Sequence, residues 1–142
     1  MFGTILLLVG WLFFNGGSVM GMYAERRSSP PKIMMVTLIA TASGGLVSAF
    51  LKPLFMGTYT QQLRYDVIAL INGMLGGAVA ITGVADRCEP WSAFVIGSIG
   101  SIFYILACKL ARSLSVDDPI EASMVHGACG IWGVLAVGIF DN

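Results

Sequence analysis

The sequence predicts an all-α, polytopic membrane protein with five transmembrane helices, and three observations carry that prediction. Of its 142 residues 56% are hydrophobic and only 11% are charged, where a soluble domain carries roughly 25% charged residues. The charges fall in clusters that leave five uncharged runs, residues 1–24, 33–51, 67–85, 90–108 and 122–140. Each is near or above the roughly 20 residues that a helix needs to cross the hydrocarbon core. Finally, the chain holds 18 glycines, most of them inside those runs. Glycine weakens a helix interior unless two backbones must approach closely, so tight packing of the kind found in channels and transporters is expected.

The first helix is expected over 3–23. No Lys or Arg precedes Arg26, so the positive segment of a secretory signal is missing and the run reads as a retained membrane helix. Glu25, Arg26, Arg27 and the Pro30-Pro31 pair stop it. The second helix, 33–50, is rich in small residues (Thr37, Ala40, Thr41, Ser43, Gly44, Gly45, Ser48) and is expected to end at Lys52-Pro53. A polar stretch with Thr58, Gln61, Gln62 and Arg64 follows. The third, 67–82, carries Gly73-x-x-x-Gly77, a seam for close helix contact. Trp91 is placed as an interfacial anchor at the head of the fourth helix, 91–110, which Lys109 and Arg112 close. The fifth, 119–140, is expected to open on Asp117-Asp118-Pro119, because carboxylates and a first-turn proline suit a helix N-terminus. The whole chain, 1–142, is one membrane domain on this reading.

Composition also excludes several functions. Eight basic and eight acidic residues cancel, so no nucleic-acid partner is indicated. Cys88, Cys108 and Cys129 form no CxxC pair, which leaves no disulfide framework and no thiolate metal site. No cofactor and no metal are expected. The basic residues divide four against four between the two sides, so charge alone sets no orientation.

Two constellations can carry chemistry. The only histidine, His126, shares a helical stripe with Gly130, Gly133 and Val137. It reads either as a buried imidazole bonded to a partner helix or as a pore-lining, proton-handling group, since an ionisable residue at that depth is expensive. On the first helix Trp11, Phe14 and Ser18 fall within about 60° of one another. They are either ordinary packing or an aromatic constriction beside a cation site, where rings attract the cation and a hydroxyl accepts from it. Asp117 and Asp118 read as caps of the fifth helix.

Taken with their order, these segments resemble the ammonium transporter (Amt/Mep/Rh) family, its Amt branch above all. Gly10-Trp11-Leu12-Phe13-Phe14-Asn15-Gly16-Gly17-Ser18 is similar to one family signature. Asn72-Gly73 through Ile81-Thr82 resembles the small-residue helix that follows. Asp117-Asp118-Pro119, Val125-His126-Gly127 and Gly130-Ile131-Trp132-Gly133 are similar to another signature. The resemblance implies helices six to ten of an eleven-helix protein, the second of two five-helix repeats of opposite orientation. It implies that Ser18 and Trp11 belong to ammonium recruitment, Phe14 to a stacked phenylalanine gate, and His126 to a histidine pair in an apolar pore. The partner histidine would come from the first repeat. It further implies a homotrimer in the plasma membrane, with residue 1 on the cytoplasmic side. Gly83 stands where the family usually has proline, and Glu121 where it usually has aspartate.

Two other classes compete. A non-transporting fragment or an ammonium-sensing protein would keep the same residues. A membrane-embedded hydrolase would use His126 with Asp117, Asp118 or Cys129, but no nucleophile–base spacing supports it.

Overall fold

A computed structural model describes residues 2–18, 29–56 and 66–141. The expected end of the first helix beyond residue 18, the Arg26-Arg27 cluster and the polar stretch from Thr58 to Arg64 lie outside the described residues. The order of elements is α1 (Phe2–Gly17), α2 (Pro30–Met56), α3 (Val67–Ile81), α4 (Pro90–Ser113), a π-helical segment (Ser123–Ala128) and α5 (Cys129–Phe140). No strand occurs among the described residues. Three helical stretches, Pro30–Met56, Pro90–Ser113 and Ser123–Phe140, are long and apolar enough to cross a membrane, while α1 and α3 are shorter apolar helices.

Helix α2 is the centre of the bundle, packed most extensively against α3 and α4. Small residues make this possible. A Cβ on Gly44 would lie 2.5 Å from the Gly73 carbonyl oxygen, and one on Gly97 would lie 2.7 Å from Ala40 Cα and 2.5 Å from Ser43 Oγ. The backbones therefore meet directly, and Ser101 donates its hydroxyl hydrogen from α4 to the Gly44 carbonyl. In this crowded interior side chains also satisfy backbone acceptors, as where Trp132 Nε1 donates to Ile96 O at 2.9 Å.

Two apolar cores result. One joins Ile33, Val36, Ala40, Ile81, Val84, Ile96 and Trp132; the other joins Tyr104, Ile105, Cys108, Met124, Val125 and Cys129. The bundle's outward surface is also apolar, with Phe2, Leu6, Phe13, Phe50, Phe94, Leu106, Ile131 and Val134 all exposed. That distribution suits a hydrocarbon solvent, in which apolar surface costs nothing to expose. Two ion pairs lie together at one end. Lys32 Nζ reaches Glu89 Oε1 at 2.7 Å, and Arg87 reaches Asp141 Oδ2 at 2.6 Å. They tie the starts of α2 and α4 to the end of α5.

Two expected boundaries are corrected. Helix α2 begins at Pro30 and runs through Lys52-Pro53 to Met56. First-turn prolines lack only N–H groups that have no intrahelical partner there, and Pro53 falls in the last turn, where it removes a single ladder bond. Lys52 does not end the helix; it is buried, 5% exposed. The fifth helix does not open at Pro119. Residues 119 and 120 form a turn, Glu121 adopts φ 57°, and the helical path resumes at Ala122. A left-handed residue cannot continue a right-handed helix, so the first-turn role expected of Pro119 is lost.

Candidate functional site

One side of α1 bears Trp11 and Phe14, with Ser18 just past its end; Trp11 is half-buried, while Phe14 and Ser18 are exposed. Trp11 Nε1 donates to Thr82 Oγ1 at 2.9 Å, and Thr82 passes its own hydrogen to Ala78 O at 2.8 Å. With its edge held there, the indole stacks on the His126 imidazole, centroids 6.4 Å apart and planes 13° from parallel. Thr82→Val removes the acceptor and leaves the indole N–H without this partner. It is expected to cost about 1 kcal/mol of stability and to weaken the Trp11–His126 stack, read as a change in tryptophan emission on mixing with acid.

One turn further along, Phe14, Asn15, Ser18, Thr82, Ala85 and Asp86 line a concavity of about 190 Å³. Ser18 Oγ donates to Phe14 O at 2.6 Å. Its single hydrogen is thereby committed, and its lone pairs remain to accept from a cation. Asn15 is clamped below: Thr37 gives its hydrogen to Ile33 O at 2.8 Å and so accepts from Asn15 Nδ2 at 3.1 Å. Phe14 also lines a larger apolar groove with Gly3, Leu6, Leu7, Gly10 and Trp11. Phe14 thus stands between a polar concavity and an apolar one. Trp11, grouped with Ser18 by the resemblance, is absent from the lining of the Ser18 concavity and sits instead at the level of His126.

His126 lies in the π-helical segment and is exposed within the described structure. Its imidazole takes no hydrogen bond among the described residues, so a buried imidazole bonded to a partner helix is not what this structure contains. Gly127 beside it has no neighbour within 4 Å of an added Cβ. The expected stripe is also revised. Gly130, Gly133 and Val137 line one groove with Val79, Thr82, Gly83, Val134 and Gly138, but His126 is not part of it. A π turn holds an extra residue relative to an α turn, which rotates His126 away from the α-helical register.

Upstream, Asp118 Oδ2 accepts from the Ser123 backbone N–H at 2.8 Å and from its hydroxyl at 2.6 Å. The Ser123 hydroxyl, followed by the backbone bonds, holds the Asp118 carboxyl below its usual 3.8. The sign follows: this contribution is complete above 3.8 and disappears as pH falls through the lower folded value. Acidification is therefore expected to reduce the protection of the Ser123 amide against exchange, measured relative to its intrinsic rate at each pH, and Asp118→Ala to remove that pH-dependent loss of protection. Asp117 is exposed beside Arg112 and Glu121 in a concavity of about 220 Å³. No group of three or more His, Cys, Asp or Glu able to hold a metal occurs among the described residues.

Sequence reasoning missed a buried polar cluster. Lys52 Nζ meets Glu121 Oε2 at 2.6 Å and Tyr104 Oη at 2.5 Å. Asn72 Nδ2 donates to Glu121 Oε2 at 2.9 Å, and Tyr104 also donates to that carboxylate. Three helices therefore converge on one carboxylate. The available signal was a lysine set in the run Phe50-Leu51-Lys52-Pro53-Leu54-Phe55, where apolar flanks on both sides do not suit a solvated loop.

Helices packed backbone to backbone, with apolar side chains outside as well as inside, define an integral polytopic α-helical membrane protein. The chain belongs to the Ammonium Transporter Family, whose model matches residues 1–142. It is similar to ammonium transporter 1 member 1 of Arabidopsis thaliana, 35% identical over 146 residues, which cover 97% of this chain and 28% of that protein. The tomato (Solanum lycopersicum) ammonium transporter 1 member 1 is 33% identical over 147 residues, 97% of this chain and 29% of that one. The crystal structure of Saccharomyces cerevisiae Mep2 superposes with a TM-score of 0.83 at 33% identity, over 99% of this chain and 29% of that chain. The chain thus spans under a third of the length of these relatives.

Proposed function

We propose that this chain forms part of a longer ammonium-transporting membrane protein, with Ser18 and Phe14 at the outer mouth and His126 on the route beyond them. The observation that carries the reading is the layered arrangement on α1: an accepting hydroxyl, then Phe14, then an indole stacked on the only imidazole. Ammonium would be held by the Ser18 lone pairs and by the faces of neighbouring rings. A bare cation cannot enter a narrow apolar passage cheaply, so the proton must leave before transit or travel separately. His126 suits that task because imidazole exchanges a proton near neutral pH. Trp11 is a wall of the same layer, holding the imidazole plane, rather than part of recruitment.

His126 is exposed on its open side, and the reading assigns that side to a second histidine from a preceding five-helix repeat. The complete protein is then a plasma-membrane homotrimer and not an enzyme. The reading is tested by exchanging the matching segment of the Arabidopsis relative for this chain and assaying growth on ammonium in yeast unable to take it up. Growth is expected. A hybrid that reaches the membrane and supports neither growth nor methylammonium uptake overturns the reading.

A further inference from the structure

The last helix is fixed at two points. Downstream, Trp132 Nε1 is bonded to Ile96 O, and an added Cβ on Gly133 would lie 2.9 Å from Ala80 O, so α5 sits directly on the α3 backbone. Upstream, the Glu121 carboxylate receives Lys52 from α2, Asn72 from α3 and Tyr104 from α4. Asn72 also donates to the neighbouring Ile120 carbonyl at 3.3 Å.

The backbone between these points is determined by them. Glu121 N–H donates to Asp118 O at 3.0 Å, and Glu121 O accepts from Val125 N–H at 3.0 Å. Glu121 holds φ 57°, a conformation that non-glycine residues rarely keep without support. Between Glu121 and Trp132 the chain has one residue more than regular α-helical turns would accommodate, and that residue is taken up by the π turn at Ser123–Ala128. Neither end can slide to absorb it: sliding upstream would pull a buried lysine and its carboxylate apart, and sliding downstream would drive Gly133 off Ala80.

We propose that Lys52, Glu121, Tyr104 and Asn72 form a positioning cluster that traps the π turn and so sets the His126 imidazole against Trp11. None of the four touches the imidazole or the Ser18 concavity. Their effect on His126 is exerted through the backbone from Glu121 to His126. The carboxylate is what matters, because it is the only group in the cluster that lies on the same segment as His126 and also reaches all three other helices. The consequence for proton handling rests on the proposed transport function; the geometric claim does not.

The test reads that geometry in the chain reconstituted in lipid vesicles without ammonium. A protonated imidazole quenches a stacked indole, so the part of tryptophan quenching on acidification that disappears in His126→Ala reports the Trp11–His126 stack. Lys52→Met combined with Glu121→Gln removes both charges and leaves no unpaired buried ion. This double variant is expected to keep its helix content and lose His126-dependent quenching by about twofold or more, since an unsupported site loosens on the ångström scale. Tyr104→Phe drops one donor and leaves the ion pair closed; it is expected to show a smaller loss in the same direction. Unchanged quenching in a folded double variant overturns the proposal. If the double variant does not fold, Tyr104→Phe decides, and unchanged quenching in it overturns the proposal equally. Because no ammonium is present, failure of the transport reading would leave this measurement intact.

Discussion

Replacing His126 with alanine in the hybrid transporter is expected to abolish ammonium-evoked current or to uncouple it from substrate selectivity, with a loss of about 100-fold or more in rate. The expectation follows from what the layer contains. His126 is the only histidine of the chain, and it is stacked on an indole whose N–H is already committed to Thr82. Neither Trp11, stacked on it, nor Phe14, which lines a groove with Trp11, can carry a proton. Loss of the imidazole thus removes the only group of this layer that can take and return one, while the apolar wall that stops a bare cation remains. Current measured on hybrid protein in planar bilayers, with equal protein in the membrane, is the decisive reading. Unchanged current and selectivity in His126→Ala would remove His126 from the route.

The second large effect concerns the fold. Gly97→Ala is expected to destabilise the bundle by about 3 kcal/mol, at the upper end of overpacking costs. The added methyl would overlap the Ala40 carbonyl oxygen and lie 2.7 Å from Ala40 Cα and 2.5 Å from Ser43 Oγ. Two of those atoms are backbone of the central helix and cannot move without shifting α2 against α3 as well. Gly10→Ala is the control, because nothing lies within 4 Å of its added Cβ; removing a helix-interior glycine there is expected to be neutral or stabilising by up to about 1 kcal/mol. Denaturant-induced loss of helix signal for both variants in detergent tests this. Equal midpoints would mean that α2 and α4 do not approach as closely as the structure places them.

Much of the fold was legible because membrane helices announce themselves by length and by the spacing of charge. The breaks at residues 82–89 and 114–121 include the places where charges interrupt apolar runs, and the Gly73–Gly77 seam packs where small residues predicted close contact. The helix ends were less legible. Lys52-Pro53 looked like a stop because a charge and a proline normally end a span, yet the lysine finds a carboxylate 69 positions away, and nothing local signals that pairing. Asp117-Asp118-Pro119 looked like a helix start for good local reasons. Asp118 does bond to Ser123, but the left-handed Glu121 delays the helix, and the cause of that conformation is the convergence of three other helices.

The candidate site divides in the same way. Family membership, residue types and the helical face shared by Trp11, Phe14 and Ser18 can be read from one chain, because they depend on local order and spacing. Trp11 could not be placed against His126 from the sequence, since 115 positions separate them and a π turn shifts the register. The sequence by itself determined that this protein is a bundle of close-packed membrane helices with one ionisable imidazole in an apolar span, because burial pattern and glycine content are properties of the chain. Only the tertiary structure decided where that imidazole points. Its direction depends on a surplus residue held between two anchored ends, and each anchor is formed by contacts from helices distant in sequence.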